Sequence, residues 1–430
     1  MRTRQPSIIS TFAVNFSKPI FALSLAIGLA AAFAITPAQA QTLTVLHYLN
    51  GGSEGSGTIT GLVADRQGNL YGAAYSGGIS NCPYDDPGCG TVFKLTRHPG
   101  GWTFSVLYSF TGVSDGWWPN AVVVGSDGTL YGTTSLGGDA NQCLGYGCGT
   151  VFRLQPPPAV CRSVSCSWVK TTLYQFTSGQ DGRYPSVPTV DAAGNVYGTT
   201  NEAGENGSGT VWEVSPSHGS WTFNLLYALG INGGNPLNGV ALDAAGNIWG
   251  SGDGGVPNCG PPYSEFDCGL IWKLTRSGSG WSFTPVFSLT HDTGGGPLGT
   301  FSFDQAGYMY GTLADSGPNG NGGVFQFNPA SGQMNLLYAA PGNLAVVDGP
   351  QGGVTMDSAG NLYAADPSNG AYGFGYVVKV TSSNGNWYST DLHDFTGGGG
   401  DGSGPYGTLV VDTSGNVYGA AANVLFAIAP

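Results

Sequence analysis

Asp65-Arg66-Gln67-Gly68-Asn69-Leu70-Tyr71-Gly72 is a phrase that the chain keeps repeating. It returns at Asp191–Gly198, Asp243–Gly250, Asp304–Gly311, Asp357–Ala364 and Asp412–Gly419, and without its leading acid at Gly125–Gly132. The seven copies place Tyr71, Tyr131, Tyr197, Trp249, Tyr310, Tyr363 and Tyr418 in one column, at intervals of 60, 66, 52, 61, 53 and 55 residues. Seven self-similar units of that length define a repeat architecture. Asp at the first position can accept the backbone amide two residues on. Gly at the fourth closes the turn in a left-handed conformation, and Asn opens the next strand. The recurring Asp and Asn therefore read as turn formers rather than ligands.

Each unit resolves into four short β-branched or aromatic runs bounded by Gly, Pro, Asn or Ser. In the first unit, run a is Thr60–Asp65, run b Asn69–Tyr75, run c Thr91–Thr96 and run d Trp102–Phe110. Beyond the first 40 residues no window shows a 3.6-residue apolar period, so helices are expected to be nearly absent. Four-stranded units repeated seven times predict an all-β fold, a seven-bladed β-propeller of antiparallel blades occupying residues 41–430 as one domain. Gly61, Ala121, Gly239 and Gly353 make run a the strand that suits the crowded centre. Runs a, b and c occur seven times but run d only six times within the repeats. Leu43–Leu49 aligns with Phe104–Phe110 and puts His47 in a column with Tyr108, Tyr174, Tyr227, Phe287, Tyr338 and His393. Residues 43–49 are thus expected to pair antiparallel with Val424–Ile428, close the ring and cover an otherwise exposed apolar edge.

The first 40 residues have a different character. Arg2, Arg4 and Lys18 precede or flank an uncharged apolar run, Ile20–Ile35, which leads to Ala38-Gln39-Ala40. This is the layout of a signal peptide cleaved after Ala40, and the run is short for a membrane span. No second such run follows, so no membrane span is expected in the mature chain. The net charge is −13, and −16 without the three basic residues of the leader. Such a surface disfavours nucleic acid and anionic lipid. The eight cysteines form four close pairs, Cys82/Cys89, Cys143/Cys148, Cys161/Cys166 and Cys259/Cys268. In an exported chain these read as four local disulfides; Cys-x2-Cys spacing is absent and no zinc site is expected.

The strings Tyr131-Gly132-Thr133-Thr134, Gly149-Thr150-Val151-Phe152-Arg153-Leu154 and Tyr197-Gly198-Thr199-Thr200 carry a resemblance. The pattern they belong to resembles the tandem GloVer (Gloeo/Verruco) repeat of bacterial exported proteins of the choice-of-anchor kind, over nearly all of residues 43–430. The resemblance implies export but no particular chemistry. The chain stops at Phe426-Ala427-Ile428-Ala429-Pro430 without an apolar tail, so a freely secreted, monomeric protein is expected rather than an anchored one. A looser similarity to gluconolactonase-like propellers rests on shared turn chemistry.

Enzymatic propellers hold metals with acids at the mouth of the channel. Here the positions where run a begins (Thr60/Gly61, Asn120/Ala121, Ser186/Val187, Asn238/Gly239, Gly299/Thr300, Gly352/Gly353 and Gly407/Thr408) carry no charge, and none of the five Glu falls in a run a. No metal or other cofactor is expected. Gly-x-Ser-x-Gly at Gly51–Gly55 and Gly112–Gly116 lacks the following helix of a nucleophile elbow. His291 beside Asp292 reads as a solvated pair, and His393 as a packed member of the aromatic column. No catalytic residue is assigned. The candidate surface is the face where b–c and d–a loops emerge, with its Asp-Gly-x-x-Pro loops: Asp115, Trp117, Trp118, Asp181, Tyr184, Asp401 and Tyr406, with Tyr84, Tyr146 and Tyr263 nearby. Aromatic planes beside acids suit sugars or peptides. The expected function is a secreted binding module for an extracellular glycan or protein; the alternative is a gluconolactonase-like propeller hydrolase or lyase. The structural alternative for Trp117 and Trp118 is that they cover the junction of blades 1 and 2.

Overall fold

The computed structural model describes residues 41–430 apart from 58–60, 80–81, 83–86, 113, 159–166, 231–232, 237, 253–267, 343–348 and 399. Seven antiparallel sheets form the blades of a β-propeller, and each of the first six repeats contributes its strands in the order a, b, c, d. Blade 1 consists of Val63–Ala64, Leu70–Ala74, Thr91–His98 and Gly101–Ser109. In blade 3 strand a comes in two pieces, Arg183–Pro185 and Thr189–Val190. Among the described residues the one helical segment is a 3-10 turn at Cys143–Gly145, and no helix is long and apolar enough to cross a membrane.

The repeated phrase is the a–b turn, and one carboxylate organises it. Asp65 Oδ1 accepts the amides of Gln67 and Asn69, both at 2.9 Å, while Oδ2 accepts the Asn69 side-chain amide at 2.8 Å and the Tyr71 hydroxyl at 2.9 Å. Gly68 closes the turn at φ +79°. Asp191, Asp243, Asp357 and Asp412 repeat the arrangement, with the Trp249 indole N–H standing in for the hydroxyl at Asp243. In the weaker copy Asp127 takes over and accepts the amide and hydroxyl of Thr129. Burial pushes the Asp65 carboxyl up, but the bonds from Asn69, Tyr71 and Gln67 outweigh it and hold the group below the ordinary carboxylate value. The same balance holds down Asp243, Asp357 and Asp412.

The glycine that ends the phrase has a steric cause. A Cβ at Gly72 would lie 2.5 Å from the Phe93 ring of strand c, and the distance is 2.4 Å for Gly132 and Phe152, 2.4 Å for Gly198 and Trp212, and 2.3 Å for Gly250 and Trp272. Blade 6 departs at both places together: Ala364 replaces the glycine and its partner across the ladder is Val378.

Strand d carries a β-bulge in every blade. In blade 1 Tyr108 faces Val92 and Val106 faces Phe93, so Leu107 is the extra residue. The corresponding residues are Leu173, Leu226, Val286, Leu337 and Leu392. Blade 7 obeys the same rule with a strand from the other end of the chain. Thr42–Tyr48 pairs antiparallel with Val424–Ala429, and Leu46 is skipped between Val45 and His47. The extra residue is aliphatic all seven times, and Leu46, Leu107, Leu173, Leu226, Val286 and Leu337 pack against cores between blades.

Buried apolar residues among those described fall into seven clusters, one per joint between neighbouring blades. The phrase aromatic of one blade meets the Trp of strand d, or the Trp just before it, in the next: Tyr71 with Trp168, Tyr131 with Trp221, Tyr310 with Trp387, and Tyr418 with Trp102 across the closure. These are edge-on contacts with centroids 5.5–6.5 Å apart, the favoured geometry for aromatic pairs. A second joint uses backbone. The residue before the proline that leads into strand a donates its amide to a carbonyl in the b–c loop of the preceding blade: Trp118 to Cys89, Tyr184 to Cys148, Asn235 to Ser208, Gly296 to Cys268 and Gly404 to Phe374. All five donors sit at φ between +49° and +59°. Each following proline ring packs on a glycine, as Pro119 does on Gly90 and Pro185 on Gly149.

Disulfides Cys82–Cys89 and Cys143–Cys148, each with Cα atoms 5.4 Å apart, brace two of these carbonyl-bearing loops. Cys268 is also disulfide-bonded. Cys161, Cys166 and Cys259 lie outside the described residues, as do Tyr84 and Tyr263.

Candidate functional site

Strand a enters the channel from the face of the b–c and d–a loops, and a cavity of about 470 Å³ opens there. Its walls carry the amides of Asn120, Asn201, Asn238 and Gln351, the hydroxyls of Ser135 and Ser186, and the rings of Tyr184 and Tyr406. No Asp, Glu, Lys, Arg or His is among its described lining residues. Part of the polar wall is already tied down. Asn120 Nδ2 donates to the Pro185 carbonyl at 2.6 Å, and Ser135 donates to Asn120 Oδ1 at 2.6 Å. Thr133 and Thr199 of strand b donate to the carbonyls of Ser186 and Asn238 in the next blade, which fixes the wall between blades. Asn238 Nδ2, by contrast, is buried and has no hydrogen-bond partner among the described residues. Such a donor is costly unless something accepts from it.

The channel changes character along its length. A second cavity of about 400 Å³ is lined by Leu62, Val63, Val122, Val123, Val240, Leu242, Phe301 and Phe303 among others. Val187, Thr300 and Thr408 belong to both and mark where the polar part gives way to the apolar one. Around this level the inner strands touch through glycine: a Cβ at Gly61 would lie 2.3 Å from the Thr408 carbonyl, and one at Gly352 2.1 Å from that of Gly407.

Of the seven candidate site residues, the structure brings two together at the mouth, Tyr184 and Tyr406. Trp117 is 2% exposed in the core between blades 1 and 2, and Trp118 stacks on Tyr75 with centroids 4.8 Å apart. Both pack in the core of the blade 1–2 junction, where the chain turns inward at Trp117 to begin strand a, Trp117–Val124. The three acids are internal acceptors. Asp115 accepts the Tyr108 hydroxyl at 2.9 Å, the Thr111 amide and the buried Lys170 ammonium at 2.8 Å. Asp181 accepts the Tyr174 hydroxyl and the Thr177 amide, and Asp401 is bonded to His393 Nε2 at 3.0 Å and to the Thr396 amide. Glu54 does the same for His47 and Asn50 at the ring closure. In each case an acid in the d–a loop latches that loop to the aromatic column of strand d. Burial pushes the Tyr108 and Tyr174 hydroxyls up and the neighbouring acid adds to it, so both remain protonated donors. Burial lowers the Lys170 ammonium, opposed by Asp115.

Sequence reading passed over Ser135 and Asn201. Both stand four residues after the phrase aromatic, at the end of strand b, in a column that otherwise holds Tyr75, Ala314, Pro367 and Ala422 among the described residues. A polar residue in that column is the signal that would have found them. Among the described residues no group of three or more His, Cys, Asp or Glu is placed to hold a metal.

These features define a seven-bladed propeller with a polar mouth that carries no charge among its described residues. The chain belongs to the Gloeobacter/Verrucomicrobia repeat family, whose model matches residues 23–263 and 262–424. No curated protein matches it. Among solved structures it is similar to the extracellular domain assigned to a hybrid two component system of B. thetaiotaomicron, with 13% identity and a TM-score of 0.51. It is also similar to the extracellular domain assigned to a one component system of the same organism, with 13% identity and a TM-score of 0.52. In both cases the match covers 90% of this chain but 41% of the other, so the chain spans about two fifths of those structures. A gluconolactonase of Xanthomonas campestris is similar at 13% identity over 74% of this chain and 87% of its own, with a TM-score of 0.40. Likeness at such identity concerns the fold alone.

Proposed function

We propose that this chain is a secreted binding module that holds an uncharged, hydrogen-bonding ligand in the mouth of its central channel. The observation that carries the reading is the cavity of about 470 Å³ with amides, hydroxyls and two tyrosines on its wall and no charged side chain among its described residues. The buried Asn238 Nδ2, which has no partner among the described residues, supplies a donor for such a ligand. A hydrolase or lyase would need acids or a nucleophile converging there; Asp115, Asp181 and Asp401 are latches of the d–a loops, and Glu202, next to Asn201, is paired with Arg183. The leader of residues 1–40, with its basic start and Ala38-Gln39-Ala40, supports export. A thermal-shift screen against neutral saccharides, uncharged peptides, Ca²⁺ and Mg²⁺ tests the reading. An uncharged compound should stabilise the protein by about 2.7 kcal/mol at a hundred times its Kd. Asn238→Ala should remove that shift. Stabilisation by a cation alone, or a shift that survives Asn238→Ala, would overturn it.

A further inference from the structure

The b–c loop of blade 6 differs from its counterparts in blades 1, 2 and 4. It has no cysteine; instead Asp366, fully buried, accepts the amides of Ser368 and Asn369, both at 3.0 Å, and the Asn369 side chain. Burial raises the Asp366 carboxyl, and these bonds oppose it. So anchored, the loop presents Tyr372 at 62% exposure and Phe374 at 45%. The carbonyl of Phe374 accepts the Gly404 amide at 2.8 Å, two residues before Tyr406, which is 41% exposed and forms part of the mouth wall. Gly397 lies against the Phe374 ring, where a Cβ would be 2.5 Å from it. Three exposed aromatic residues thus lie on two loops that meet at the joint of blades 6 and 7, one of them in the wall of the mouth. The two segments that carry them, 367–375 and 396–407, contain one charged residue, Asp401, and it is occupied by His393 and Thr396.

We infer that Tyr372, Phe374 and Tyr406 form a stacking platform that extends the mouth, and that the ligand is a linear neutral glycan longer than the mouth can hold. The inference rests on the binding reading above and names its ligand class. Pyranose rings have an apolar C–H face that lies on an aromatic plane and equatorial hydroxyls that pair with amides. The mouth supplies the amides and the platform supplies the planes. The described lining of the mouth and the two platform segments hold no Lys or Arg to pair with an anionic polymer. Large rings left this exposed beside a polar cavity are a surface with a partner rather than core.

The test is calorimetric titration of the whole propeller with neutral gluco-, xylo- and manno-oligosaccharides of increasing length. For the matching backbone, affinity should rise about tenfold or more once the chain outgrows the mouth. Tyr372→Ala with Phe374→Ala should abolish that rise and leave the shortest binding oligomer within about twofold. Asn238→Ala should weaken every length. Tyr372→Ala alone serves if the double variant loses its melting transition. Affinity independent of length, or a rise that survives the platform variants, would overturn the platform while leaving the mouth reading intact. Binding of uncharged peptides but of no saccharide would overturn the glycan assignment, and binding of neither would overturn both readings.

Discussion

Ala364 shows how a residue that breaks a repeated pattern can be read. Six phrases end in Gly and one in Ala, and the structure puts the explanation across the ladder, where Val378 replaces an aromatic ring. The pair can be exchanged. Val378→Phe alone should cost about 1–3 kcal/mol by overpacking. Adding Ala364→Gly should recover most of that loss, a coupling that urea unfolding of the four proteins in the cycle would measure. Carboxylates make a second prediction at this scale. Asp65, Asp243, Asp357 and Asp412 are held below their unfolded values by the turns they organise. Groups lowered on folding stabilise the protein above their unfolded pKa, and that contribution is lost as pH falls through the folded one. The urea midpoint should thus drop as the solution is acidified below pH about 4, and Asp357→Asn should reduce the drop. A midpoint rising with acid would contradict the assignment of these acids as turn acceptors.

Strand-level organisation was legible because it repeats. Seven phrases set the a–b turns, the run of Gly-Thr-Val-Phe set strand c, and Leu43–Leu49 was recognisable as strand d because it keeps the register of Phe104–Phe110. Even the bulge agrees, with Leu46 in the place of Leu107. What did not show was which side chains face each other across a loop. Asp115, Asp181 and Asp401 sit beside Gly in segments that read as open, yet each meets a partner seven or eight residues back in strand d. The mouth was hidden for the opposite reason. Asn120, Asn201 and Asn238 come from two different columns of three different repeats, and no string joins them. Removing an element tests the closure. A chain begun at Gly51 loses Thr42–Tyr48 and with it the packing of Leu43, Val45, Leu46 and Leu49. At roughly 1.5–3 kcal/mol for a fully buried large side chain, and less for the partly buried ones, stability should fall by several kcal/mol. Val424–Ala429 would become an open apolar edge, so size-exclusion chromatography should show self-association.

Residues 41–430 form a closed ring whose ends are held together by one ladder, Thr42 to Tyr48 on Val424 to Ala429. Pairing residues so far apart in sequence closes the longest loop the chain can make, which places this contact late in folding. The joints of the ring, however, are local. The carbonyl of Cys89 and the amide of Trp118 that binds it belong to one stretch running from the b–c loop of a blade to strand a of the next, and the same holds for Cys148 with Tyr184. The stretch that contains a complete joint therefore straddles two blades. Duplicating or deleting such a stretch together with the strand b that follows it, a whole repeat in the order c, d, a, b, would carry both halves of a joint together and leave the composite blade at the chain ends untouched. The number of blades can then change by recombination between copies, without any new interface having to be invented.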